Sequence, residues 1–262
     1  MTKPVFVHVS VGADVQGRCQ KVLLMLPSPN LRARPGSLAA SLVLEIAALR
    51  MDGSRLITQN KVPALPLFEN AFSAFGRGTV LEGREGPIAI EDLQPGDWLR
   101  TSQGDTAQVV WLAASSFVPA DAGRRMPLIR IMADSFGMNR PGSYLTLGPS
   151  ARVLQTPHRL AGAAAGQRML TPIGEFVDGV NVIEVVPPTP VRLFHLCLTR
   201  HAAVIADGLE VETLHPGTAA LRQVPHHIRD LYLSLFPRIA HATDFGPLAH
   251  PRAPEMADMN AA

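Results

Sequence analysis

Two cysteines, three lysines and few aromatic residues set aside several specialised chemistries for this chain of 262 residues. Cys19 and Cys197 are too few for a disulfide framework or a cysteine zinc set, so a reducing compartment or indifference to redox state is the simplest reading. Lys3, Lys21 and Lys61 are the only lysines, and 24 basic against 22 acidic side chains leave a formal net charge of +2. That balance gives no broad positive field for nucleic acid. Aromatics, at 5% of the chain, supply no stacking surface for single strands either. No run approaches the roughly eighteen apolar residues of a membrane-spanning helix. The opening MTKPVFVHVSVGADV lacks an apolar run long enough for a secretory signal, which makes cytoplasmic residence the expectation and leaves open only export without a conventional signal.

What is present is a globular composition, 47% hydrophobic and 18% charged, long enough for one large or two small domains. The most specific stretch runs from Phe72 to Trp111. Val80 and Leu81 open a strand, and Gly83 to Gly86 turn the chain back, since glycine accepts positive φ without steric cost. Pro95-Gly96 occupies the central positions of a type II turn, Trp98 to Thr101 resumes as a strand, Gln103-Gly104-Asp105 turns again, and Ala107 to Leu112 returns. The reading is all-β.

Within that stretch Gly78-Thr79, Glu91-Asp92-Leu93, Pro95-Gly96-Asp97, Leu99, Thr101 and Val110-Trp111 resemble the opening block of Hint domains, the hedgehog/intein fold, in a bacterial branch. Tyr144 to Leu154 resembles the central block. Phe194-His195 through His201, Ala206-Asp207-Gly208 and Glu212-Thr213 resembles the terminal block. The resemblance covers about 72 to 217 and implies a mainly β Hint fold, here with an N-terminal β lead-in (1–70), a Hint-like body (71–217) and a C-terminal helix and tail (218–262).

The resemblance also implies a chemistry from which this sequence departs. Self-processing Hint domains carry a cysteine or serine four residues before the Gly-Thr pair, and that nucleophile attacks the preceding carbonyl; here the position is Ala74. The central block supplies a Thr-x-x-His whose imidazole protonates the leaving amide; here the positions are Gly148 and Ala151. General acid help of that kind is worth roughly 10²–10⁴-fold. Inteins end in His-Asn, and the aligned pair is Glu212-Thr213. Ser73, Thr79 and the displaced Thr156-Pro157-His158 are the remaining rescue candidates, each needing a slip of register. The expectation is a silent scaffold or binding module with a protein partner of unknown identity, no metal and no cofactor; the alternative is self-cleavage through Ser73 or Thr79.

In the lead-in, Val5 to Val11 and Lys21 to Leu26 read as strands, and Asp52-Gly53 between two apolar runs favours a hairpin over a helix. Val62 to Pro66 reads as an extended linker. This lead-in occupies the place of a released passenger, and is either the working part or a piece that completes the fold. Downstream, Asp178-Gly179 predicts a hairpin over Phe176 to Val186, Val191 to Leu198 a strand, and Asp207-Gly208 a tight turn. His195 and Cys197 share a strand face, as a reactive pair or, more simply, as a buried thiol beside a hydrogen-bonded imidazole. His195, His201, Glu212, His215, His226 and His227 match no compact metal motif. Arg124, Arg125, Arg130, Arg140 and Arg152 would form an anion-binding surface only if they gathered. A helix is expected between Pro225 and Pro237, and an extended, fraying tail beyond Phe245.

Overall fold

A computed structural model describes residues 6–11, 20–25, 41–157, 167–217 and 221–253, the first two stretches as backbone alone. Strands β1 (Phe6–Val11) and β2 (Gln20–Met25) pair antiparallel, Phe6 opposite Met25. The expected hairpin follows as β3 (Ser41–Leu49) and β4 (Arg55–Pro63), turned at Asp52-Gly53 with Gly53 at φ +81°. Strand β3 alternates exposed and buried until Ala47, as a sheet with one face on a core must. The linker expected at Val62 to Pro66 is instead the end of β4 and, from Pro66, a short helix α1 (Pro66–Ala71). Strand β4 lies at the sheet's edge, where Pro63 breaks no ladder, and Pro66 sits where a first helical turn lacks an amide partner anyway.

The module from Phe72 to Trp111 folds by its turns. Strands β5 (Phe75–Gly76), β6 (Val80–Glu82), β7 (Pro87–Ala89), β8 (Trp98–Arg100) and β9 (Thr106–Phe117) are separated by glycines at positive φ, Gly86 and Gly96 among them. The type II turn at Pro95-Gly96 is closed by Asp97 N–H donating to Gln94 O at 3.1 Å, and the Asp97 carboxylate accepts the Gln94 amide in return.

Then come β10 (Leu128–Ile131), β11 (Leu145–Leu147), β12 (Arg152–Gln155), β13 (Met169–Pro172), β14 (Val182–Val185), β15 (Val191–Leu198), β16 (Ala203–Ala206), β17 (Leu209–Glu212) and helix α2 (His226–Leu233). The larger sheet runs β14-β10-β11-β5-β15-β9-β3-β4 with β8 attached to β9; the second runs β13-β12-β17-β16-β6-β7. Asp207 (φ +46°) and Gly208 (φ +82°) make the tight turn between β16 and β17. The hairpin expected over Phe176 to Val186 does not form, because Phe176 ends a 3-10 turn and only β14 is a strand. Asp178 Oδ1 accepts the amides of Val180, Asn181 and Val182 and so shapes a cap instead of a two-stranded turn.

Both faces of β9 are buried. Val109, Leu112 and Ala114 enter a core shared by the two sheets, while Val110, Trp111 and Ala113 enter a second core on the opposite face. A register shift opposite Cys197 and Leu198 places Val110 as an extra residue, which is why it and Trp111 join the same core. That second core is closed by Leu44, Ile46 and Ala48 of β3, Phe68 of α1, and Tyr232, Leu235 and Phe236 from α2 and the turn after it. Trp111 stacks against Phe236 at 4.5 Å between centroids and donates Nε1–H to Leu235 O at 2.8 Å. Among the described residues no helix is long and apolar enough to cross a membrane. Trp111→Phe removes that hydrogen bond and part of the ring, and should lower stability by about 2 kcal/mol in urea unfolding with the slope unchanged.

Candidate functional site

Ala74 and the end of the terminal block attach to one strand, and the central block joins them through Ala74. Phe194 O of β15 accepts the Ala74 amide at 3.0 Å, and Leu196 O accepts the Leu214 amide at 2.8 Å. The start of the body and the end of the terminal block therefore attach to the same strand, either side of His195. The central block joins through Gly148, whose N–H donates to Ala74 O at 2.8 Å, and Ala151 N–H donates in turn to Gly148 O at 3.1 Å. Ala74 and Ala151 are buried with methyl groups in the apolar core between the sheets.

Gly148 decides what this place can hold. A Cβ there would lie 1.7 Å from Ser73 O and 3.2 Å from Ser73 Cβ, so the backbone itself fills the space a side chain would need. No rotamer relieves a clash with a carbonyl. Of the rescue candidates, Ser73 is buried immediately before Ala74, and the Thr79 hydroxyl donates to Gly76 O at 2.7 Å, a backbone acceptor that cannot take its proton. His158 lies outside the described residues.

The terminal block holds a buried charge network that composition did not foretell. Glu212, 5% exposed, accepts Nε2–H of His201 at 3.1 Å and Nε–H of Arg252 at 2.9 Å through Oε1, with Arg152 Nε 3.8 Å from Oε2. Burial opposes the charge on Glu212, but the His201 hydrogen bond and the Arg252 and Arg152 guanidiniums hold its carboxyl below the usual range. His201 Nδ1 accepts the Ala249 amide at 2.9 Å, so its ring is neutral with the proton on Nε2. His215 has the same tautomer, donating Nε2–H to Gly246 O and accepting the Gly217 amide at Nδ1. Thr213 donates its hydroxyl to Ala202 O. Each group is occupied by structure, and none is placed to abstract a proton at Ala74.

His195 and Cys197 lie on β15 as expected, both buried. Burial pushes His195 down to about 3, against the pull of Glu212 and with the Arg252 guanidinium adding to the fall. Burial alone pushes the Cys197 thiol up, away from reactivity. Among the described residues no group of three or more His, Cys, Asp or Glu could hold a metal.

The family positions are accounted for by folding. Gly78 adopts φ +85° and donates its amide to Glu91 Oε2 at 2.9 Å; burial opposes the charge, but that bond and Arg77 hold Glu91 below the ordinary carboxylate range. The Asp92 amide closes a turn on Ala89 O, and Gly96, Asp97, Trp111 and Gly208 serve the turns and core already described. The five arginines do not gather. Arg125 is tied to Asp121 and to Ser116 O, Arg130 lies over the Tyr144 ring, and Arg140 and Arg152 reach separate acids of β17. Within the tail expected to fray, the described residues to Ala253 are docked instead: the Leu170 amide donates to Pro251 O at 2.8 Å and the Ala253 amide to Leu170 O at 3.1 Å. Arg252 is the site residue that the sequence reading missed. Its only local signal is a lone arginine after a proline.

Two outcomes follow from this geometry. Gly148→Ala should cost about 3 kcal/mol or more, because backbone must move to admit the methyl group; an unchanged urea midpoint would show an open site. His195 has its proton affinity lowered on folding, so its contribution to stability is complete above the unfolded value of 6.5 and is lost as pH falls through that value toward 3. Between pH 7 and about 4.5 the chain should lose about 2–3 kcal/mol from this group, and His195→Leu should flatten that part of the profile relative to wild type.

Comparison with known proteins agrees with the family resemblance. A family model described as Hint domain matches residues 73–218. Among solved structures, the MchDnaB-1 intein is similar at 17% identity and a TM-score of 0.32, over 53% of this chain and 99% of that one. A variant of the same intein matches at 17% identity and a TM-score of 0.32, over 54% and 99%. No curated protein matches. With more than half of its length matched to the family model, the chain belongs to the Hint domain family.

Proposed function

We propose that this protein keeps the Hint body without its self-processing chemistry and uses it as a scaffold or binding module. The observation that carries the reading is the closure at Gly148, where the Ser73 carbonyl sits 1.7 Å from the place of a side chain. A Thr-x-x-His motif needs that space for its first residue. With Ala74 supplying a methyl group where a nucleophile is required and Ala151 one where an imidazole is required, the covalent route is blocked at its first step and unaided at its second. Family membership does not restore an activity whose groups are missing.

The attachment of the preceding segment gives independent support. Strand β3 pairs with β9 from Glu45 opposite Ala114 to Ala48 opposite Trp111, and Phe72 lies 5.5 Å from Trp111 and 5.7 Å from Tyr232 between ring centroids. A break between Ser73 and Ala74 would leave residues 41–72 bound through a sheet and an aromatic core. Release of a passenger is not what this arrangement favours.

Freshly purified protein followed by intact mass over a day, with and without a strong thiol or hydroxylamine, should remain one species near 28.1 kDa. Ala74→Cys should behave identically, since the new thiol has neither the central-block imidazole nor room to expel its leaving group. Fragments split near Ser73 that grow with added nucleophile would sink the reading and establish self-cleavage.

A further inference from the structure

The geometry points to a peptide-binding groove that reads an extended segment bearing an arginine, filled in this chain by its own residues 249–253. The inference deepens the binding-module reading and rests on it. Strand β13 ends the second sheet, and its outer edge offers the amide and carbonyl of Leu170. Residues 251–253 take both in a parallel bridge, adding one strand position to the sheet. Unpaired sheet edges recruit extended chain, so this is a place where a segment can be exchanged for another.

Successive residues of the segment are each engaged. The Ala249 amide donates to His201 Nδ1, His250 Nε2 lies 3.0 Å from Ser102 Oγ, Pro251 supplies a carbonyl without needing a partner for an amide, and Ala253 is buried. Arg252 is the anchor. Its Nε and Nη2 lie 2.9 and 2.8 Å from Glu212 Oε1, and Nη2 also donates to His215 O at 2.7 Å. Gly217 leaves room for the guanidinium, since a Cβ there would lie 2.9 Å from it.

Selectivity follows from the cost of an unmatched charge. A segment without arginine would leave Glu212 buried with only His201 and the more distant Arg152 as partners, whereas a guanidinium satisfies the carboxylate and the His215 carbonyl together. Tethering presents the segment at an effective concentration of about millimolar or more, enough to exclude a free competitor from the wild-type chain.

The test combines native-state amide exchange with peptide binding, on full-length chains. In the wild type, the Leu170 and Ala253 amides should exchange through a local opening at least about tenfold faster than the β15 amides paired with β9. Exchange of both sets only together would make the segment an inseparable part of the fold and overturn the proposal. Arg252→Lys should speed the Leu170 amide a further tenfold or so and admit a fluorescein-labelled synthetic peptide with the sequence of residues 246–253. The same peptide with alanine in place of its arginine should bind at least about tenfold more weakly, and the Arg252→Ala, Glu212→Gln double variant should bind neither. Equal binding of both peptides by the Arg252→Lys chain, binding of neither, or equal binding by wild type and variant would each overturn the proposal. Self-cleavage would show in the mass measurement without changing these readings, so the two ideas fail separately.

Discussion

A twelve-residue strand buried on both faces cannot exist without cover on both sides, and β9 imposes that condition on everything around it. On one side the second sheet supplies Val153, Val204 and Val211 to a shared core with Val109 and Leu112. On the other, Val110, Trp111 and Ala113 need cover that no second sheet provides, and beside their neighbours on β3, α1, α2 and the aromatic side chains of Phe72 and Phe236 meet the need. The extra residue at Val110 keeps Trp111 pointing toward the helices despite the usual alternation. Strand pairing then fixes what is left: β15 on one edge of β9 and β3 on the other.

Because β15 is held by β9, whatever it hydrogen-bonds is positioned by the same constraint. Phe194 and Leu196 carbonyls grip the residues at the two ends of the body, and Gly148 closes the third side against Ser73 and Ala74. A self-processing site in this place would need a nucleophile, an imidazole and room for a tetrahedral carbon. Here the same framework brings together methyl groups and glycine. The hydrogen bonds that converge the blocks are backbone bonds, which do not depend on the side chains at these positions.

Legibility in the sequence divided along the range of the interactions. Turns at Gly53, Gly86, Gly96, Gly104 and Asp207-Gly208 were readable because positive φ is a local demand, and the strands between them followed. The helix after Pro225 was readable from its apolar spacing and its flanking prolines. Local rules failed where a partner distant in sequence decided the outcome. Asp178-Gly179 looks like a hairpin turn, yet Asp178 caps three amides and β14 pairs with β10 instead. Prolines 247 and 251 look like a frayed end, yet the segment they frame is docked across separations of about forty residues, through Glu212 and His201. The steric closure at Gly148 was not legible, since glycine alone does not announce what lies against it.

Glu212 shows why such a docked segment can be selective without being strongly stabilising. Taking a carboxylate and a guanidinium out of water costs about as much as their attraction returns, and apolar replacements of equal size would serve stability as well or better. What an ion pair adds is discrimination, because an incorrect partner forfeits the attraction while the desolvation remains. His201 strengthens that discrimination by orienting the carboxylate through a ring whose proton position is fixed by the Ala249 amide of the segment. Removing the segment therefore releases the His201 tautomer and one charge at once. A site with that coupling responds to the identity of what fills it more sharply than to the amount of surface covered, which is the behaviour expected of a recognition groove and not of a core.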